Sequence, residues 1–194
     1  MNRRSVGLAA VWAAFLVLVG STFALAAAEA KLAPEFTLPD LGGEDVVLAE
    51  RLKEGPVIVD FWATWCKPCI KAFPDLQEIF DNYKDCGLSV FAISIDGPKS
   101  TSRVGALIKS KGNTFEVLLD PAQKVAKKFH VTSVPRTVLI DTDGTIAWAV
   151  TGYRPSNHEE LGKAVASLFP EGCERKAEGA EATEGTEAAE DAGE

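Results

Sequence analysis

Val57-Ile58-Val59-Asp60-Phe61-Trp62-Ala63-Thr64-Trp65-Cys66-Lys67-Pro68-Cys69 decides how this chain folds. From Val57 to Trp62 both alternating faces are apolar apart from Asp60, the pattern of a central strand covered by helices on either side. Beyond it, Ile70, Phe73, Leu76, Ile79 and Phe80 recur at helical spacing up to Lys84, and Gly87 can supply a left-handed cap. A strand that runs straight into a helix puts Cys66 at the helix N-terminus. Free N–H groups and the positive end of the helix dipole favour a thiolate there, and Lys67 adds a positive charge. Pro68 fits the first turn, whose N–H groups have no helical partner. Cys69 lies one turn on and nearer the interior, where it can attack a mixed disulfide formed at Cys66. A ring this small suits electron exchange better than stabilisation.

Two plainer readings of the pair fit less well. Half a zinc site needs a second ligand pair, yet Cys86, Cys173, His130 and His158 are scattered singly. No metal or other cofactor is expected. A purely structural disulfide needs neither Trp65 beside it nor a place at a helix start. Asp60 is costly to bury in an apolar strand, which raises its expected pKa and suits a base near neutrality; a tolerated, partly hydrated carboxylate is the alternative. Both histidines read as surface residues.

Working outward, residues 31–54 predict a hairpin: Glu35 to Leu38, a Gly42-Gly43 turn, then Val46 to Leu48. Leu88 to Ile95 is a second central strand. Ser100 to Lys111 predicts a helix stopped by Gly112, Phe115 to Leu119 a short strand, and Pro121 to Phe129 another helix. Thr137 to Asp141, an Asp143-Gly144 turn and Thr145 to Thr151 predict an antiparallel hairpin. Ser156 with Glu159 has the spacing of a capping box opening a last helix through Leu161, Val165 and Leu168. Strands alternating with helices, then a hairpin and a helix, define an α/β chain with a mixed sheet and helices on both faces.

The 194 residues carry a formal net charge of −8, but the acidity is concentrated. Residues 174–194 hold eight acids against Arg175 and Lys176, so six of the eight net charges sit there. That stretch of Ala, Glu, Gly and Thr cannot bury enough apolar surface to order itself, and a disordered acidic tail is expected. A domain at 31–173 is then only mildly acidic, without the basic surface that nucleic-acid binding requires. At the other end, Arg3-Arg4 precedes an uncharged run from Val6 to Leu25 and small-residue cleavage sites such as Ala24-Leu25-Ala26. Residues 1–30 therefore read as an export signal or, through residues 6–25, as a membrane anchor. Either places the domain in the periplasm or another extracytoplasmic space, where disulfides persist.

The segment Val59 to Cys69 resembles the active-site segment of the thioredoxin superfamily nearly position by position. The resemblance extends to Pro74 inside the helix, to Val134-Pro135 as the cis-proline loop, and to Gly152 before the last helix. The Leu32-Ala33-Pro34-Glu35-Phe36 opening and the long stretch between Cys69 and Pro135 are similar to the TlpA/ResA-like extracytoplasmic thiol–disulfide oxidoreductases. This implies a thioredoxin-like fold with an N-terminal β-hairpin and a central insertion of a helix and a strand. It implies Cys66 as attacking thiol, Cys69 as resolving thiol, and Asp60 as acceptor of the Cys69 proton. A cis Pro135 would leave the Val134 backbone free to pair with an extended substrate, with Trp65, Lys67 and Gly152 completing the contact surface. Protein substrates with cysteine pairs and a membrane electron donor follow, as does a reductant's task such as cytochrome c maturation.

Departures from the family pattern matter. Some ResA-like members carry a glutamate three residues after the second cysteine, where this chain has Ala72, so the resemblance leaves Asp60 to take over that acid's role. Arg136 stands where threonine is commoner, either biasing the groove toward acidic partners or acting as a plain surface cation. A peroxiredoxin-like peroxidase shares the Pro-x-Phe-x-Leu opening but needs a hydroxyl three residues before its cysteine, and Ala63 has none. A non-catalytic binding module using the Pro135 groove is the remaining alternative. Finally, the helix starting at the redox pair and the last helix flank one sheet face in such a fold and run the same way. Cys86 and Cys173 at their far ends are therefore expected to form a structural disulfide.

Overall fold

A computed structural model describes residues 31–173; the expected leader or anchor of residues 1–30 and the expected tail of 174–194 lie outside the described residues. Strand β3 (Val57–Trp62) is buried at all positions, as is β4 (Ser89–Ser94). With β5 (Glu116–Leu119), β6 (Arg136–Ile140) and β7 (Ile146–Thr151) they form a five-stranded sheet of order β5-β4-β3-β6-β7. β3, β4 and β5 run parallel, and β6 and β7 run antiparallel to their neighbours. The mixed sheet is that of a thioredoxin-like fold. The inserted segment places β5 at the sheet edge, after helix α3 (Thr101–Lys111).

Period-two alternation along β3 sorts its side chains into two cores. Ile58 and Trp62 pack under α2 (Lys67–Tyr83), α3 and α5 (Ser156–Ala166) through Phe73, Leu76, Ile79, Val104, Leu161 and Val165. Val57, Val59 and Phe61 pack on the opposite face against Phe36, Leu48, Phe91, Val125 and Phe129. That face is covered by the hairpin β1 (Thr37–Pro39) and β2 (Asp45–Val47), by the short α1 (Leu48–Arg51), and by α4 (Lys124–Lys128). Asp60 shares its parity with Ile58 and Trp62, so it faces the α2 and α5 layer.

Where β3 and β4 begin, two turns touch backbone to backbone. A Cβ on Gly55 would lie 2.3 Å from the Gly87 carbonyl oxygen, and Gly87 has φ +101°, so neither position accepts a side chain without the turns separating.

Two expected boundaries differ. The helix expected over Pro121 to Phe129 starts only at Lys124, because the Asp120 carboxylate takes the Lys124 and Ala126 N–H groups, each at 2.8 Å, after Gln123 turns left-handed at φ 55°. The Ser156–Glu159 capping box does not form. Pro155 already has helical backbone angles, no side chain caps the helix, and Glu159 pairs with Lys163 instead. Among the described residues, no helix is long and apolar enough to cross a membrane.

Candidate active site

Cys66 and Cys69 are joined by a disulfide across the first turn of α2, with Cα atoms 5.3 Å apart. Cys66 is the helix N-cap: its Sγ accepts the Cys69 N–H at 3.2 Å. The hydrogen bond points at the sulfur that would carry the charge once the pair is reduced, which is the direction that stabilises a thiolate. Cys66 is 4% exposed while Cys69 is fully enclosed, so only Cys66 offers a surface to another molecule. Trp65 beside it is 66% exposed, a large apolar ring left on the surface, and Lys67 is exposed on the other side.

The sheet register delivers the other parts. β3 and β6 pair Asp60 with Thr137 and Phe61 with Arg136, so Pro135 comes one step further along, beside the end of β3 that leads to the cysteines. The Val134–Pro135 peptide is cis. The Val134 amide and carbonyl bond to no other described residue, whereas the Pro135 carbonyl accepts the Gly152 N–H at 2.8 Å. The structure thus brings Trp65, Lys67, Val134, Pro135 and Gly152 to one end of the sheet, around Cys66. Arg136, half-buried, donates to the Thr151 hydroxyl at 3.2 Å.

Asp60 is 3% exposed, and burial pushes its carboxyl up to about 7, with the Thr137 hydroxyl, donating at 2.7 Å, pulling it part of the way back. A carboxyl poised there can hold or give up a proton at neutral pH. It faces a crevice of about 40 Å³ whose walls include Ala72, Thr137, Tyr153, Asn157 and His158.

Three arrangements escaped the sequence reading. The buried Asp96 carboxylate accepts the Thr64 N–H, the Thr64 hydroxyl and the Ser94 hydroxyl, clamping the loop that leads into Cys66. Its signal was the parallel register: Trp62 pairs with Ser94, so Thr64 and Asp96 stand two residues beyond a matched pair. Thr64 gives its hydroxyl to Asp96, and Ala63, three residues before Cys66, has none. Tyr153 donates to Asp75 on α2 at 2.9 Å, tying the loop after β7 to the redox helix. His158, expected on the surface, is only partly exposed, because the first turn of α5 lays it against α2 and the crevice. His130 is exposed.

Away from this end, Cys86 and Cys173 are bonded, with Cα atoms 5.9 Å apart. A 3-10 turn, Lys84–Cys86, carries α2 to Cys86, and Cys173 follows α5.

The profile of the AhpC/TSA family matches residues 30–149. The chain is 32% identical over 154 residues to the thiol–disulfide oxidoreductase ResA of Geobacillus kaustophilus, covering 79% of this chain and 80% of that one. It is 35% identical over 120 residues to ResA of Bacillus subtilis, covering 62% and 65%. Among solved structures, a putative thiol:disulfide interchange protein DsbE from Chlorobium tepidum superposes with a TM-score of 0.66 at 29% identity, over 72% of this chain and 96% of that one.

Proposed function

The chain belongs to the AhpC/TSA family and is a thioredoxin-like thiol–disulfide oxidoreductase similar to ResA and DsbE-type proteins, and we propose that it reduces protein disulfides outside the cytoplasm through Cys66 and Cys69. One observation carries this reading. A bonded cysteine pair opens α2 with a hydrogen bond aimed at the more exposed sulfur, on a strand that holds a buried carboxyl.

In the reduced protein the Cys66 thiolate attacks one sulfur of a substrate disulfide. That bond breaks, the other substrate sulfur leaves as a thiolate, and Cys66 is joined to the substrate. Asp60 then takes the proton of Cys69. The Cys69 thiolate attacks Cys66 Sγ and releases the second substrate thiolate. Two electrons have passed to the substrate, and the protein is left with the Cys66–Cys69 disulfide. Trp65, Lys67, Val134, Pro135 and Gly152 form the contact surface, with the unpaired Val134 backbone offering an edge to an extended substrate segment.

Residues 1–30 serve as export signal or anchor, residues 31–173 as the working domain, and residues 174–194 as a solvating tail. A reductant in that compartment draws its electrons from a donor in the membrane. Apocytochrome c and oxidase-assembly cysteines are the substrates this role would suit. Cys86–Cys173 acts as a structural staple.

A Cys69→Ser variant tests the reading, because it stops the cycle at the mixed disulfide. Expected are substrate proteins covalently trapped at Cys66, and insulin reduction by the unmutated protein. No trapped partner together with no insulin reduction would make the chain a binding module with an inert pair. The potential of the pair then sets the direction: at about −270 mV it is a reductant, at about −120 mV an oxidant.

A further inference from the structure

Asp60 lies in a strand buried along its whole length, so its proton must leave by the crevice it faces. A space of about 40 Å³ holds a few water molecules if polar groups line it. Two residues of its wall, Asn157 and His158, carry buried polar atoms that lack partners among the described residues. Asn157, 7% exposed, uses its amide nitrogen on the Gly152 carbonyl at 2.9 Å, and its Oδ1 has no partner among the described residues. The buried Nδ1 of His158 has none either. A buried polar atom left without a partner is destabilising, which favours an ordered water at each.

His158 has a second end. Its Nε2 lies 3.7 Å from Oε2 of Glu78, a largely exposed carboxylate on α2. His158 thus belongs to the crevice wall, keeps a buried unpaired Nδ1, and reaches a charged surface group through Nε2. The remaining titratable groups around the crevice are accounted for: Asp75 of α2 holds the Tyr153 hydroxyl, and the Lys71 ammonium sits 5.8 Å above the Tyr153 ring.

We propose that the crevice between the sheet, α2 and α5 is the hydrated exit for the proton that Asp60 accepts, with Asn157 holding its water and His158 and Glu78 passing the proton to solvent. The inference rests on Asp60 acting as the base in the resolving step. When Cys69 attacks, its proton converts Asp60 to the neutral acid. The proton then moves to crevice water and enters His158 at Nδ1. A proton leaves Nε2 for Glu78 or bulk water, Asp60 is a carboxylate again, and no electron moves. His158 and Asn157 are positioning residues here, acting through Asp60.

The test follows substrate-thiol release from a mixed disulfide preformed at Cys66 of the full-length protein, in dilute non-imidazole buffer. His158→Ala is expected to slow release about tenfold at pH 7 and to raise its solvent deuterium isotope effect. Added imidazole restores the rate. Asn157→Leu, similar in size, slows it comparably without rescue, and thermal melts of both variants check the fold. Asp60→Asn separates the two layers of the reading. A slow Asp60→Asn on which His158→Ala has no further effect supports the exit. A slow Asp60→Asn beside wild-type rates in both crevice variants overturns the exit and leaves the base in place. Slowing by His158→Ala that imidazole does not relieve, with the isotope effect unmoved, marks a structural role and overturns it too. A wild-type rate in Asp60→Asn removes the base itself.

Discussion

Thr64 gives its backbone N–H and its hydroxyl to the two carboxylate oxygens of Asp96, at 2.8 and 2.7 Å. This bidentate grip fixes the turn two residues before the attacking cysteine. Asp96→Ala strips both donors of their partner, and a buried unsatisfied group costs about 1–3 kcal/mol. A matching loss in thermal or denaturant stability is expected, together with about a tenfold fall in kcat/KM for insulin reduction as the Cys66 loop loosens. Thr64→Val removes only the hydroxyl bond and should lose about 1 kcal/mol. Unchanged kinetics in Asp96→Ala would mean the loop holds its shape without the clamp.

Asp60 makes folding stability depend on pH. Burial raises its carboxyl from 3.8 to about 7, so between those values the folded state binds a proton that the unfolded chain releases. Stability from this group is therefore full below about pH 4, declines as pH rises through about 7, and stays low above. Asp60→Asn removes the penalty of ionising a buried carboxyl. Oxidised Asp60→Asn should exceed the parent by up to about 4 kcal/mol at pH 8 and match it near pH 4. Urea unfolding at the two pH values decides it; an equal difference at both would show that the carboxyl does not titrate in this range.

Ala72 lines the same crevice as Asp60. Ala72→Glu sets a second carboxyl there, and two carboxylates sharing one site cannot both ionise freely. The pH midpoint of the resolving step should rise by about one unit or more, read from the pH profile of substrate release. A profile that stays in place would put the new side chain outside the crevice.

Cys86→Ser with Cys173→Ser opens a loop closed over a sequence separation of 87. The chain-entropy relation gives a loss of about 4–5 kcal/mol, with insulin reduction preserved because the bond lies away from Cys66. Mild reduction followed by alkylation and mass spectrometry should label Cys66 and spare Cys86. Labelling of both would remove the staple.

The parts of the site legible in the sequence were those encoded locally. Val57 to Cys69 carries its strand, its helix start and its chemistry in thirteen consecutive residues, and the structure reproduces that order. What stayed hidden depends on residues brought together by register. Thr137 meets Asp60 across 77 positions, and Asp96 meets Thr64 across 32. Ser156 and Glu159 had the right spacing for a cap, but Pro155 continued the helix backward and left the motif inside it. His158 read as a surface residue because nothing local reveals that the start of α5 rests on α2.

The bond between Cys86 and Cys173 closes the chain from β4 to α5 into a covalent ring, and the redox pair lies outside it. Thr142 and Asp143, at the exposed tip of the β6–β7 turn, lie within that ring. A protease cutting there opens the ring without releasing a fragment, and both pieces stay tied through sulfur. A cut at this turn therefore leaves the domain one molecule.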